Sequence, residues 1–141
     1  MDKRPKILLA DDEPDVLDMY REILAQLPSR PEIQTVASGA RALAMLLVAL
    51  SGEETDPAVL AEYYRALGRI GTPEAVRALA QAAQPSGGLL RRRPPAGRVV
   101  AIEALGQAGG ALALRALEAL KKDRDKTVRA AAEKALGTAP K

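Results

Sequence analysis

The apolar residues of this chain fall into two successive rhythms. Near the start, Lys6–Ala10 reads KILLA, too short for a buried helix and suited to a strand covered on both faces, as in a parallel sheet. Asp11 and Asp12 end that run. Pro14 then stands where a helix takes its first turn, with Asp12 or Glu13 as cap and dipole partner. Val16, Leu17, Tyr20, Ile23, Leu24 and Leu27 recur at helical spacing and form one apolar stripe. LPSRP breaks the helix. The next stretch, EIQTVA (Glu32–Ala37), alternates and carries β-branched residues, which predicts a second strand. Ser38 and Gly39 turn the chain into a further helix, ARALAMLLVAL.

Beyond residue 51 strand-like patterning stops and a repeat begins. YYRALGRIGTPEAVRALAQAA (63–83), AIEALGQAGGALALRALEALKKD (101–123) and VRAAAEKALG (128–137) share one skeleton. In each, Ala-Leu-Gly closes a helix, and in the first two a second glycine precedes the next helix. The repeated glycines are Gly68, Gly106 and Gly137, spaced 38 and 31 residues apart, and Gly39 lies 29 before Gly68. The longer interval contains the Pro/Gly/Arg-rich PSGGLLRRRPPAG. A period near 30 residues with paired helices predicts a helical solenoid.

Two families are similar to these stretches. ILLADDEPDVLDMYREIL and IQTVASGARALAMLL resemble the opening of a response-regulator receiver domain, over residues 5–48. The Ala-Leu-Gly skeleton resembles HEAT-like repeats of the phycobilisome-lyase type, over residues 39–139. The fold class expected is mainly α: a short N-terminal βαβα segment, a partial flavodoxin-like receiver, merged into an α-α solenoid of about three hairpins. The expected division is a receiver-like segment over 1–50 and helical repeats over 51–141. The helix at 40–50 serves both patterns.

Composition narrows the chemistry. The 141 residues include no Cys and no His, which excludes disulfides, thiolate nucleophiles, imidazole bases and zinc sites of the usual type. Aromatic residues are limited to Tyr20, Tyr63 and Tyr64, so base-stacking platforms are not expected. No run is long and apolar enough for a membrane span and none has a signal-peptide pattern, so the expected location is cytoplasmic. The net charge of +3 is uneven: residues 1–50 carry 6 Lys/Arg and 8 Asp/Glu, and residues 51–141 carry 15 and 10.

Asp11 and Asp12 are the sharpest candidates for chemistry. Two carboxylates at the carboxyl end of a parallel strand suit Mg2+, which takes oxygen ligands, and the receiver resemblance implies these two as metal positions. That family's phosphoaccepting aspartate lies roughly 40–45 residues beyond its acidic pair, where this chain has Asp56. Asp56 sits in SGEETDPAVL, a loop and helix start, so its expected job is an N-cap. The receiver's later hydroxyl and lysine positions have no counterpart, so any Mg2+ binding is expected to be weak and no cofactor is expected. Arg91, Arg92 and Arg93 form the densest charge cluster and suit an acidic partner, or nucleic acid. Tyr63 and Tyr64 point about 100° apart on a helix, so one packs in the core while the other can anchor an interface.

The reading that follows is a non-catalytic adaptor in two-component (phosphorelay) signalling, with a protein partner such as a kinase. A working phosphoacceptor regulator using Asp56 with Asp11 and Asp12 is the first alternative. A nucleic-acid-binding repeat acting through Arg91–Arg93 is the second. A bilin-lyase-type enzyme is suggested by the repeat resemblance alone and has no His or Cys to work with. A first strand lacking a third-strand neighbour would leave its edge open, either covered by helices or paired in a homodimer.

Overall fold

The computed structural model describes residues 4–51, 56–85 and 94–140. The order of elements is β1 (Lys6–Ala10), α1 (Pro14–Ala25), β2 (Glu32–Val36), α2 (Gly39–Ser51), α3 (Pro57–Ile70), α4 (Pro73–Ala83), α5 (Pro95–Ala108), α6 (Gly110–Leu120) and α7 (Lys126–Thr138). The chain divides into two compact units, 1–45 and 46–141, and the division falls inside α2.

In the first unit β1 and β2 pair in parallel, Lys6 opposite Glu32 through Ala10 opposite Val36. The connection through α1 is what parallel pairing requires, since two parallel strands cannot be joined by a hairpin. Arg21 on α1 ties the helix to the sheet by donating to the Thr35 hydroxyl at 2.8 Å. Among the described residues the sheet has two strands. The expectation that KILLA is covered on both faces is corrected: Ile7, Leu8 and Leu9 are half-buried, because among the described residues no helix packs extensively on β1.

The second unit is a helical stack. α3, α5 and α7 lie side by side as one layer, and α4 and α6 form the other. Leu67, Leu79, Ile102, Leu105, Leu117 and Val128 are the largest side chains sealed completely from solvent, and all lie in this unit. They are aliphatic and accompanied by buried alanines, so helices carrying few bulky groups pack closely. The described residues give two hairpins, α3/α4 and α5/α6, followed by α7, against an expectation of about three.

The role of the repeated glycines also needs correction. Ala-Leu-Gly does not end its helix: Gly68 and Gly106 lie inside α3 and α5. The glycine three residues later does the ending. Gly71 caps α3 at φ 63°, in the left-handed region that costs an L-residue energy, and Gly109 stands between α5 and α6 at φ 64°.

Candidate functional site

The acidic end of β1 is built by local hydrogen bonds. The Asp11 N–H donates to the Val36 carbonyl at 3.2 Å, which carries the ladder one residue past the strand. The Asp11 carboxylate accepts the Glu13 N–H at 2.9 Å, turning the chain into α1. Glu13 occupies the N-cap position with extended backbone but contributes no side-chain cap, and Pro14 follows at the first turn. The side-chain cap expected of Asp12 or Glu13 is not made; Asp11 instead holds the turn before the helix, because a carboxylate reaches the N–H two residues on in an Asx turn. Asp12 is exposed. No group of three or more carboxylates converges among the described residues. A cleft of about 470 Å3 opens at the far end of β2, where Val36, Ala37, Arg41 and Met45 line it, and neither Asp11 nor Asp12 does.

Asp56 is placed as the expected N-cap of α3. Its backbone is extended (φ −68°, ψ 115°) and its carboxylate accepts the Ala58 N–H at 2.9 Å, with Pro57 at the first helical position. The tyrosine pair splits as their spacing requires. Tyr64 is buried at 7% exposure and belongs to the core, so it is removed as a partner-binding candidate, while Tyr63 stays half-exposed. Arg91, Arg92 and Arg93 lie outside the described residues.

One constellation was missed by the sequence reading. Arg98 on α5 is 5% exposed and pairs through two nitrogens with the Asp123 carboxylate, in the loop between α6 and α7. Its Nε donates to the Ala83 carbonyl at 2.7 Å, satisfying a backbone acceptor left open at the end of α4. Asp123 also accepts the Asp125 N–H at 2.9 Å. Arg129 closes the same loop by donating to the Asp123 and Arg124 carbonyls at 2.8 and 3.0 Å. The Arg98 hydrogen bond first, then the Asp125 N–H and the nearby positive charges, hold the Asp123 carboxyl below the usual carboxylate range against the opposing pull of burial. The signal was present: Arg98 and Arg129 stand at the same offset before Ala-Leu-Gly in successive repeats.

This network borders a cleft of about 740 Å3, with Gln84, Pro94, Ala119, Lys122 and Arg124 among its lining. The α4/α6 layer offers a second kind of surface. Leu112 on α6 is 45% exposed, the one large hydrophobic so exposed among the described residues of the stack, with Arg115 exposed on the same helix. An apolar anchor with a polar surround can bind a protein surface.

Stacked helical hairpins in two layers define an α-α repeat protein. The family model for HEAT repeats matches residues 2–94, and the chain belongs to that family. The matched span includes residues 5–48, from which the receiver resemblance was drawn, and stops before α5. No curated protein matches the chain. No helix among the described residues is long and apolar enough to cross a membrane.

Proposed function

We propose that this chain is a non-catalytic protein-interaction adaptor that works in two-component (phosphorelay) signalling. HEAT repeats commonly mediate protein–protein interaction, and the stack presents a continuous α4/α6 layer for such contacts. The observation carrying the reading is the combination of that stack with a parallel β1-α1-β2 unit whose first strand ends in Asp11 and Asp12. The first favours binding over chemistry, and the second supports descent from a phosphate-switched domain. Asp11 spends its carboxylate on the turn into α1, which fits a segment that has lost the switch.

The test is phosphorylation chemistry followed by capture. Incubation with acetyl phosphate and Mg2+, read by intact mass, is expected to add no phosphoryl group. A gain lost in Asp56→Asn would overturn the adaptor reading in favour of a phosphoacceptor. A photo-crosslinking residue at position 112 is then expected to capture a kinase or receiver protein in cells. Capture restricted to proteins outside such pathways would overturn the signalling assignment.

A further inference from the structure

The parallel ladder determines which backbone groups of β1 face outward. The Pro5 carbonyl accepts the Glu32 N–H at 2.8 Å, and the Asp11 N–H donates to Val36 at 3.2 Å. Backbone groups alternate sides along a strand, so Pro5, Ile7, Leu9 and Asp11 face β2. Lys6, Leu8 and Ala10 turn their N–H and C=O groups to the opposite edge, where no other strand pairs among the described residues. Proline commonly blocks such an edge. Here Pro5 has the wrong parity to do so, because its missing N–H belongs to the β2 side.

The unit carrying this edge is poorly sealed. Met19, Tyr20, Ile23 and Leu27, on and just after α1, are 40–53% exposed. A two-stranded sheet is marginal by itself, so additional strands would add stability.

Charge selects the occupant. β1 is preceded and begun by Arg4 and Lys6, and followed by Asp11 and Asp12. A parallel neighbour of the same sequence would set like charges side by side. An antiparallel copy centred on Leu8 sets Leu8 opposite Leu8 and Lys6 opposite Ala10, and brings the basic end with Arg4 of each copy to the acidic end with Asp12 of the other. Lys6, Leu8 and Ala10 have the parity that bonds across the open edge, while Arg4 and Asp12 flank the strand at its two ends. The two-fold axis is then normal to the sheet, which becomes four strands in the order β2-β1-β1-β2.

We infer that the open edge of β1 is a homodimer interface, pairing antiparallel with a second copy of this chain through Lys6, Leu8 and Ala10 and held in register by Arg4 and Asp12. This goes beyond the adaptor reading and does not depend on it. Each crossed pair brings opposite charges together at one end of the shared ladder, whereas a parallel copy would bring like charges together.

Sedimentation velocity on the full chain, from low to high micromolar concentration, tests the inference. The expected result is a monomer–dimer equilibrium. Arg4→Asp and Asp12→Arg should each weaken the dimer by about tenfold, and the double exchange should restore it. Leu8→Pro, which deletes an N–H on the open edge only, should abolish dimerisation, with circular dichroism confirming that the helical stack remains. A strict monomer at all concentrations would overturn the inference. So would a dimer indifferent to the charge exchange and to Leu8→Pro.

Discussion

Gly68 on α3 and Ala104 on α5 meet with no room for a side-chain atom between them: a β-carbon on Gly68 would lie 2.8 Å from the Ala104 carbonyl oxygen. One repeat later the relationship returns, with a β-carbon on Gly106 falling 3.0 Å from that of Ala135. In both cases the glycine of one Ala-Leu-Gly faces the alanine of the next, so the motif is a stacking device. Gly137, the third of the series, has nothing within 4 Å.

The three glycines therefore make a controlled series. Gly68→Ala pushes against backbone, which cannot rotate away, and should destabilise by about 1–3 kcal/mol. Gly106→Ala meets its nearest neighbour, the Ala135 β-carbon, at 3.0 Å rather than 2.8 Å and should cost less. Gly137→Ala, near an open helix end, should stabilise by up to about 1 kcal/mol through helix propensity. Urea unfolding midpoints at constant m-value will order them. Equal effects at all three would contradict the stacking role.

Arg98 should be the most costly single polar side chain to remove in the stack. Its loss leaves Asp123 half-buried without its main partner and the Ala83 carbonyl without its donor, so Arg98→Ala is expected to cost about 3–5 kcal/mol. The pair also predicts a pH dependence. The folded pKa of Asp123 lies below its unfolded value, so the contribution is complete above the usual carboxylate pKa of about 4 and is lost as pH falls through the folded value. Stability measured between pH 6 and pH 2 should drop in that acid window, and the drop should shrink in Asp123→Asn.

Asp56 offers a way to separate fold from phosphate chemistry. Asparagine caps helices as well as aspartate does, so Asp56→Asn should leave stability within a few tenths of a kcal/mol, while Asp56→Ala should cost about 0.5–2 kcal/mol. Thermal melts of the two variants will check this. Equal losses would show that the carboxylate charge, rather than the cap, is what the position requires.

Much of this architecture was legible because its causes are local. KILLA and EIQTVA predict strands through run length and alternation, and both form, with bounds within a residue of those expected. Pro57, Pro73 and Asp56 mark helix starts by the geometry of the first turn. What stayed hidden depends on distant contacts. Thr72 and Pro73 mark Gly71 as a helix end from the sequence, but that Gly68 is a stacking contact appears only when α5 approaches it. Arg98 shares its offset with Arg129, but its partners Ala83 and Asp123 come from other elements and are not legible beside it. Tyr63 and Tyr64 were an undecidable pair until packing assigned Tyr64 to the core.

Glu133 carries the last prediction. It stands two residues before the alanine of its Ala-Leu-Gly, the register held by Tyr64 in α3 and Ile102 in α5. Those two are 7% and 0% exposed, and each lies one turn before the glycine that receives the next helix of the layer. On α7 the same face is exposed and carries a carboxylate where the stack elsewhere buries an apolar group. A carboxylate on that face opposes the packing of a further apolar surface against it, because burying the charge unpaired is costly. Glu133→Ile should therefore leave the fold intact by circular dichroism while making light scattering rise with concentration. Adding Gly137→Val to block close approach should reverse that rise; scattering unchanged by Glu133→Ile would show that the charge is not what keeps this face from associating.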